Sequence, residues 1–172
     1  TYYPNYICQK EKDGVVQGEY KTFLDDDAKI RGWKRYPVKR DSFDPPQVPN
    51  EGYDKVSTVF KPLEQGTCFT GKIMVHNLKP IELGALLWAL TWGGDDNLRH
   101  SVGMAKPYGY GSIHIKIKSF NLVNFPGQKF ALDQFTAQME TFLKSKKKIA
   151  WKDSEQIVQL LAMANPNSTL RH

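Results

Sequence analysis

The sequence predicts an α+β fold built around a partial ferredoxin-like or RRM-like unit, and three observations carry that prediction. An alternating stretch at 67–76, a leucine-striped stretch at 80–92 and a second alternating stretch at 112–118 follow one another in order. Strand, helix and strand with one covering helix make half of such a unit. The boundaries are drawn accordingly. Residues 1–66 form an extended and irregular segment, residues 67–119 the half-unit with its Gly-rich loop, and residues 120–172 a helical C-terminal extension.

In chain order, "TYYPNYICQK" and "VVQGEYKTF" flank the turn-like "EKDG" and read as an extended pair closed at Asp13-Gly14. Residues 24–66 carry "DDD", "DPPQVPNEG", Pro37 and Pro62 with little periodicity, and read as a long irregular insertion. "TCFTGKIMVH" reads as a strand with Phe69, Ile73 and Val75 on one side. "PIELGALLWALTW" reads as a helix. Pro80 suits its first turn, Glu82 suits the positive end of its dipole, and Leu83, Leu86, Leu87 and Leu90 form the stripe. Gly93-Gly94 ends it. After a loop, "SIHIKIK" alternates Ile113, Ile115 and Ile117 with His114, Lys116 and Lys118, oily on one face and basic on the other. Two helices follow, the first with Asp133 as a cap and the second opening on a capping-box-like Asp153 and Gln156. The other half of the unit would precede residue 67, but residues 1–66 show no helix.

Composition narrows the class. At 172 residues and 40% hydrophobic, the chain can bury one real core. No apolar run approaches the roughly 18 residues of a membrane helix, so no membrane partner is expected. A chain beginning at Thr1 with no visible signal peptide reads as processed, or as a piece of something longer. Cys8 and Cys68 stand alone, without metal-ligand spacing, and read as free thiols of a reducing compartment. A cytoplasmic location and no metal are therefore expected. Twenty-four Lys and Arg against 18 Asp and Glu give +6, a bias toward anionic partners.

Two stretches suit a single-stranded nucleic acid, with charge for the backbone and rings for the bases. "KIRGWKRYPVKR", residues 29–40, holds six basic residues, two aromatics and no acid, and contributes Arg31, Lys34, Arg35 and Tyr36 as candidates. "GMAKPYGYG" contributes Gly103, Lys106, Tyr108, Gly109, Tyr110 and Gly111, and His100 just before it is a further binding candidate. Its glycines let backbone N–H groups approach phosphates, and its tyrosines offer stacking. The alternative for each stretch is an ordinary loop. The second lacks both GxxxxGK[ST] and a GxGxxG directly after a strand, so no nucleotide cofactor is expected. "KSKKK", residues 144–148, fits the C-terminus of a helix. His76, His100, His114 and His172 sit in no catalytic motif; His100, beside the Gly-rich loop, and Asp26 in the acidic turn are the catalytic candidates.

Residues 69–117, "FTGKIMVHNLKPIELGALLWALTWGGDDNLRHSVGMAKPYGYGSIHIKI", resemble the RAMP superfamily of CRISPR-associated proteins, in particular backbone subunits of type III effector complexes and their fused single-chain relatives. His100, Gly103, Lys106, Pro107, Gly109, Gly111 and Ser112 match the family's H-x-x-G-x-x-K-P-x-G-x-G-S loop one by one, and "KIRGWKRYP" is similar to a segment upstream in such proteins. The resemblance implies an RRM-like, RNA-binding subunit of an antiviral ribonucleoprotein. CRISPR RNA, target RNA and other effector subunits or segments would be its partners. Some members cleave target RNA through an acidic residue in the first half. No acidic residue here is matched to it, so binding without catalysis by this chain is expected. A metal-independent CRISPR RNA-processing endoribonuclease and a protein–protein scaffold are the alternatives.

Overall fold

The computed structural model of the chain describes residues 6–42 and 59–168. The proline-rich "DPPQVPNEG" and His172 lie outside the described residues. Among the described residues the fold is mixed α/β, with three α-helices and two small antiparallel two-stranded sheets.

The N-terminal pair closes as its sequence demands. Strands β1 (Glu11–Lys12) and β2 (Val15–Val16) pair antiparallel around Asp13-Gly14, both at positive φ. A second antiparallel bridge joins Ile7 to Ile30, with Cys8 N–H donating to the Lys29 carbonyl (2.8 Å) and Arg31 N–H to that of Tyr6 (2.9 Å). The acidic turn is held locally. Asp25 accepts from the Thr22 backbone N–H (2.6 Å) and hydroxyl (3.0 Å), which lowers its pKa, while the Lys21 ammonium at Asp27 lowers that of Asp27. Asp26 is exposed at the tip of this turn. Cys8 and Cys68 are exposed free thiols.

Helix α1 (Pro80–Thr91) begins as the sequence requires: Glu82 accepts the Lys79 backbone N–H at 2.8 Å. It ends one residue before the glycine pair, with Trp92 in the left-handed region (φ 55, ψ 37). Helix α2 (Gln128–Lys147) crosses it, and its last turn holds Lys144, Lys146 and Lys147. Asp133 does not cap α2. The helix starts earlier, on the backbone of Gly127, and Asp133 pairs with Lys129 one turn back at 2.7 Å. Helix α3 (Glu155–Ala164) is entered through a 3-10 turn at Trp151–Asp153, and its N-cap is Ser154 rather than Asp153. Among the described residues no helix is long and apolar enough to cross a membrane.

The core lies where α1 meets α2. Leu83, Leu87 and Ala131 are buried together, with Val75, Ile117, Phe120, Leu122, Phe125 and Leu132 packed around them. Gly84 makes this possible. A Cβ there would lie 2.7 Å from the Phe135 Cβ and closer still to the Ala131 carbonyl oxygen. Gly84→Ala is therefore expected to destabilise by about 1–3 kcal/mol through overpacking. At an exposed helix position the same change would stabilise by roughly 1 kcal/mol. Thermal melting reads the sign, and a melting temperature that rises would refute the tight crossing.

The predicted strand at 67–76 is not one here: it lies in no ladder among the described residues. The 112–118 stretch keeps its alternation, with Ile113, Ile115 and Ile117 half-buried and His114, Lys116 and Lys118 exposed, but pairs only at Ser112–Ile113. A strand is defined by its neighbour, and the described residues supply none for 67–76 or for 114–118.

Candidate nucleic-acid interface

The two stretches singled out in the sequence meet at one cleft. Residues 33–38 are strapped along α3, with Trp33 Nε1–H donating to the Gln156 carbonyl (2.7 Å) and Val38 N–H to that of Met163 (2.8 Å). Arg99 N–H donates to the Ala164 carbonyl (2.9 Å), which brings the start of the Gly-rich hairpin to the same end of α3. Strands β3 (His100–Ser101) and β4 (Ser112–Ile113) then pair antiparallel. A single 3-10 turn at Lys106–Tyr108 folds the intervening loop back.

The resulting cleft, of about 690 Å³, is walled by Tyr6, Trp33, Lys34, Arg35, Tyr36, His100, Ser101 and Lys106. Lys34, Arg35 and Lys106 have no carboxylate partner among the described residues, whereas Lys21, Arg31 and Lys129 are paired with Asp27, Glu11 and Asp133. Lys34 lies 5.7 Å from the Tyr6 ring centre and Arg35 5.1 Å from that of Trp92. Arg35 is partly buried, and the loss of water around its guanidinium lowers its pKa. A cation in that position gains from an anion brought to it.

His100 is held from two sides. Its ring stacks on Trp92 with centroids 4.5 Å apart, and its Nε2 lies 2.9 Å from the Leu90 carbonyl oxygen. A carbonyl only accepts, so Nε2 carries the proton and Nδ1 is the acceptor of the neutral ring.

The other candidates are elsewhere. Arg31 donates to Glu11 at 2.6 Å and is not part of the cleft wall. Gly109 (φ 86) presses on the backbone of Asp41, with a built Cβ only 2.5 Å from that carbonyl oxygen. Gly111 (φ 73) lies against the backbone of Val102, whose N–H donates to the Gly111 carbonyl at 2.9 Å. These two glycines let the chain approach itself. Gly103 (φ 77) has open space at its Cβ position. Tyr110 meets Phe60 edge-on at 5.8 Å, and Tyr108 lies in the 3-10 turn. Asp26 does not line the cleft. Among the described residues, no three His, Cys, Asp or Glu side chains gather as a metal site needs.

Sequence reasoning passed over Tyr6, Trp33 and Ser101 as site residues. Trp33 carried a signal, standing three residues from Tyr36 inside a basic run. Tyr6 carried none, because the Ile7–Ile30 bridge delivers it. Comparison with protein-family models, with curated proteins and with solved structures finds no match for this chain.

Proposed function

We propose that this chain holds RNA as an RRM-like RAMP subunit, or a segment of one, in a type III CRISPR effector, with the CRISPR RNA backbone in the cleft. The observation that carries this reading is the convergence of Lys34, Arg35 and Lys106, unpaired with any described carboxylate, beside the rings of Tyr6, Trp33 and Tyr36. Phosphates need such cations, and unstacked bases need such rings. The RRM-like part draws support from α1, on whose core both flanking stretches rest an apolar residue, Val75 and Ile117. In a split βαβ unit those two strands are separated by one from the other half. The missing ladder between them is consistent with that arrangement.

The test is a salt titration of binding to a fluorescent single-stranded RNA. Neutralising a phosphate on each of three cations gives a slope of log affinity on log salt near −2, at about 0.7 per phosphate. Lys106→Ala should reduce that slope by about 0.7 while costing within about 0.5 kcal/mol of stability. Arg35→Ala is a poorer probe, because that side chain also packs on Trp92. A flat salt dependence sinks the proposal.

A second reading, cleavage of the bound RNA with His100 as general acid or base, draws on its place in the cleft wall. Metal-independent cleavage by the purified chain that disappears in His100→Ala would select it.

A further inference from the structure

Two stretches of this chain have the pattern of strands and lack what strands require. From residue 68 to 77 and from 114 to 124, no backbone N–H or carbonyl pairs with another backbone group among the described residues. Both stretches nonetheless rest on one core, through Val75 and Ile117 against Leu83, Leu87 and Ala131. Phe69 and Ile73 fall on the same side as Val75 by the two-residue period of an extended chain, yet are 77% and 60% exposed. Unpaired backbone beside uncovered apolar side chains is a template for an added strand.

Charge says what kind of strand. The alternate positions of the two stretches carry Lys72, His76, Lys116 and Lys118, with His114 already beside Asp96 at 3.2 Å, and neither 69–76 nor 113–118 contains an acid. A second copy of this chain fits poorly. Antiparallel self-pairing centred on residue 72 sets Lys72 opposite Lys72, and pairing one stretch with the other brings Lys72 toward Lys116 or Lys118. Like charges directly opposite destabilise a ladder, and opposite charges support it. RNA laid on the basic face would neutralise these lysines but leave the backbone groups unpaired and Phe69 and Ile73 bare.

We propose that a β-strand of a protein partner, alternating apolar and acidic residues, completes a sheet with residues 69–75 and 113–118 over α1. Its apolar side would extend the cover of Phe69 and Ile73, and its acidic side would face Lys72, Lys116 and Lys118. This does not depend on RNA binding at the cleft, which involves other residues.

The experiment is hydrogen exchange on the full chain, read by mass spectrometry, with a synthetic peptide of alternating valine and glutamate, blocked at both ends, as the probe. In the free chain the amides of 69–75 and 114–118 should exchange as unprotected groups. The peptide should slow both stretches by about tenfold or more. Lys72→Glu combined with Lys116→Glu and Lys118→Glu, all exposed positions, should abolish that protection, and an alternating valine and lysine peptide should restore it. Oligouridine should leave these amides unchanged. Three results would overturn the proposal: amides already protected in the free chain, protection by oligouridine but not by the peptide, or no protection by the peptide.

Discussion

Trp151→Ala is expected to lower the melting temperature by roughly 6–20 °C. Trp151 stands in the 3-10 turn between α2 and α3, is only 6% exposed, and joins all three helices. Its ring lies 5.0 Å from that of Trp88 on α1 and 5.2 Å, edge-on, from that of Phe135 on α2. Its carbonyl accepts the hydroxyl of buried Ser154, the N-cap of α3, at 2.6 Å. Truncating a buried tryptophan costs about 3–5 kcal/mol, from lost transfer energy and the cavity left behind. For a chain of this size each kcal/mol shifts melting by about 2–4 °C. Trp151→Phe should recover much of the loss, since a ring still fills the space between Trp88 and Phe135. Melting followed by circular dichroism checks both variants. A shift below about 3 °C for the alanine variant would show that the aromatic cluster contributes little.

What the sequence made legible is what local chemistry decides. The boundaries of α1 follow from Pro80, Glu82, the leucine stripe and the glycine pair, all within reach of one another along the chain. The first hairpin follows from Asp13-Gly14 in the same way. The start of α2 was not legible, because Gly127 caps it with backbone alone, and the nearest acidic side chain serves an ion pair instead. Pattern alone also overstated the strands. Alternation at 112–118 fixes which side chains turn inward, but a ladder needs a second chain segment, and no period within the stretch reports whether one exists. The cleft was half legible. Lys34, Arg35, Tyr36, His100 and Lys106 come from the two stretches that composition marks. That these stretches face each other depends on α3, whose backbone carbonyls at Gln156, Met163 and Ala164 hold Trp33, Val38 and Arg99, and nothing in the basic runs themselves points to α3. Arg31 shows the converse. It sits in the same basic run as Lys34 and Arg35, and Glu11, twenty positions away, claims its guanidinium.

The same distinction between paired and unpaired cations sets the expected outcome for the cleft. Lys34→Glu combined with Lys106→Glu should weaken single-stranded RNA binding by about 100-fold. A hydrogen bond involving a charged group contributes about 1.5–3 kcal/mol, so losing two corresponds to at least about 3 kcal/mol, with each decade worth about 1.4 kcal/mol. The salt slope should shrink by about 1.4, two phosphates at about 0.7 each. The two lysines come from different segments of the cleft wall, one from the strap on α3 and one from the Gly-rich loop, and neither is ion-paired among the described residues. Reversing them therefore breaks no described ion pair; Lys34 gives up only its place over the exposed Tyr6 ring, worth about 0.5–1 kcal/mol, so melting should fall by no more than about 4 °C. Arg31→Glu is the matched control. It removes one positive charge and adds one negative, as each cleft substitution does, but it acts on a side chain bonded to Glu11 outside the cleft wall. A loss of RNA affinity confined to the lysine pair supports the cleft. An equal loss per charge in Arg31→Glu would mean that RNA responds only to the net charge of +6, and that the cleft is not where it binds.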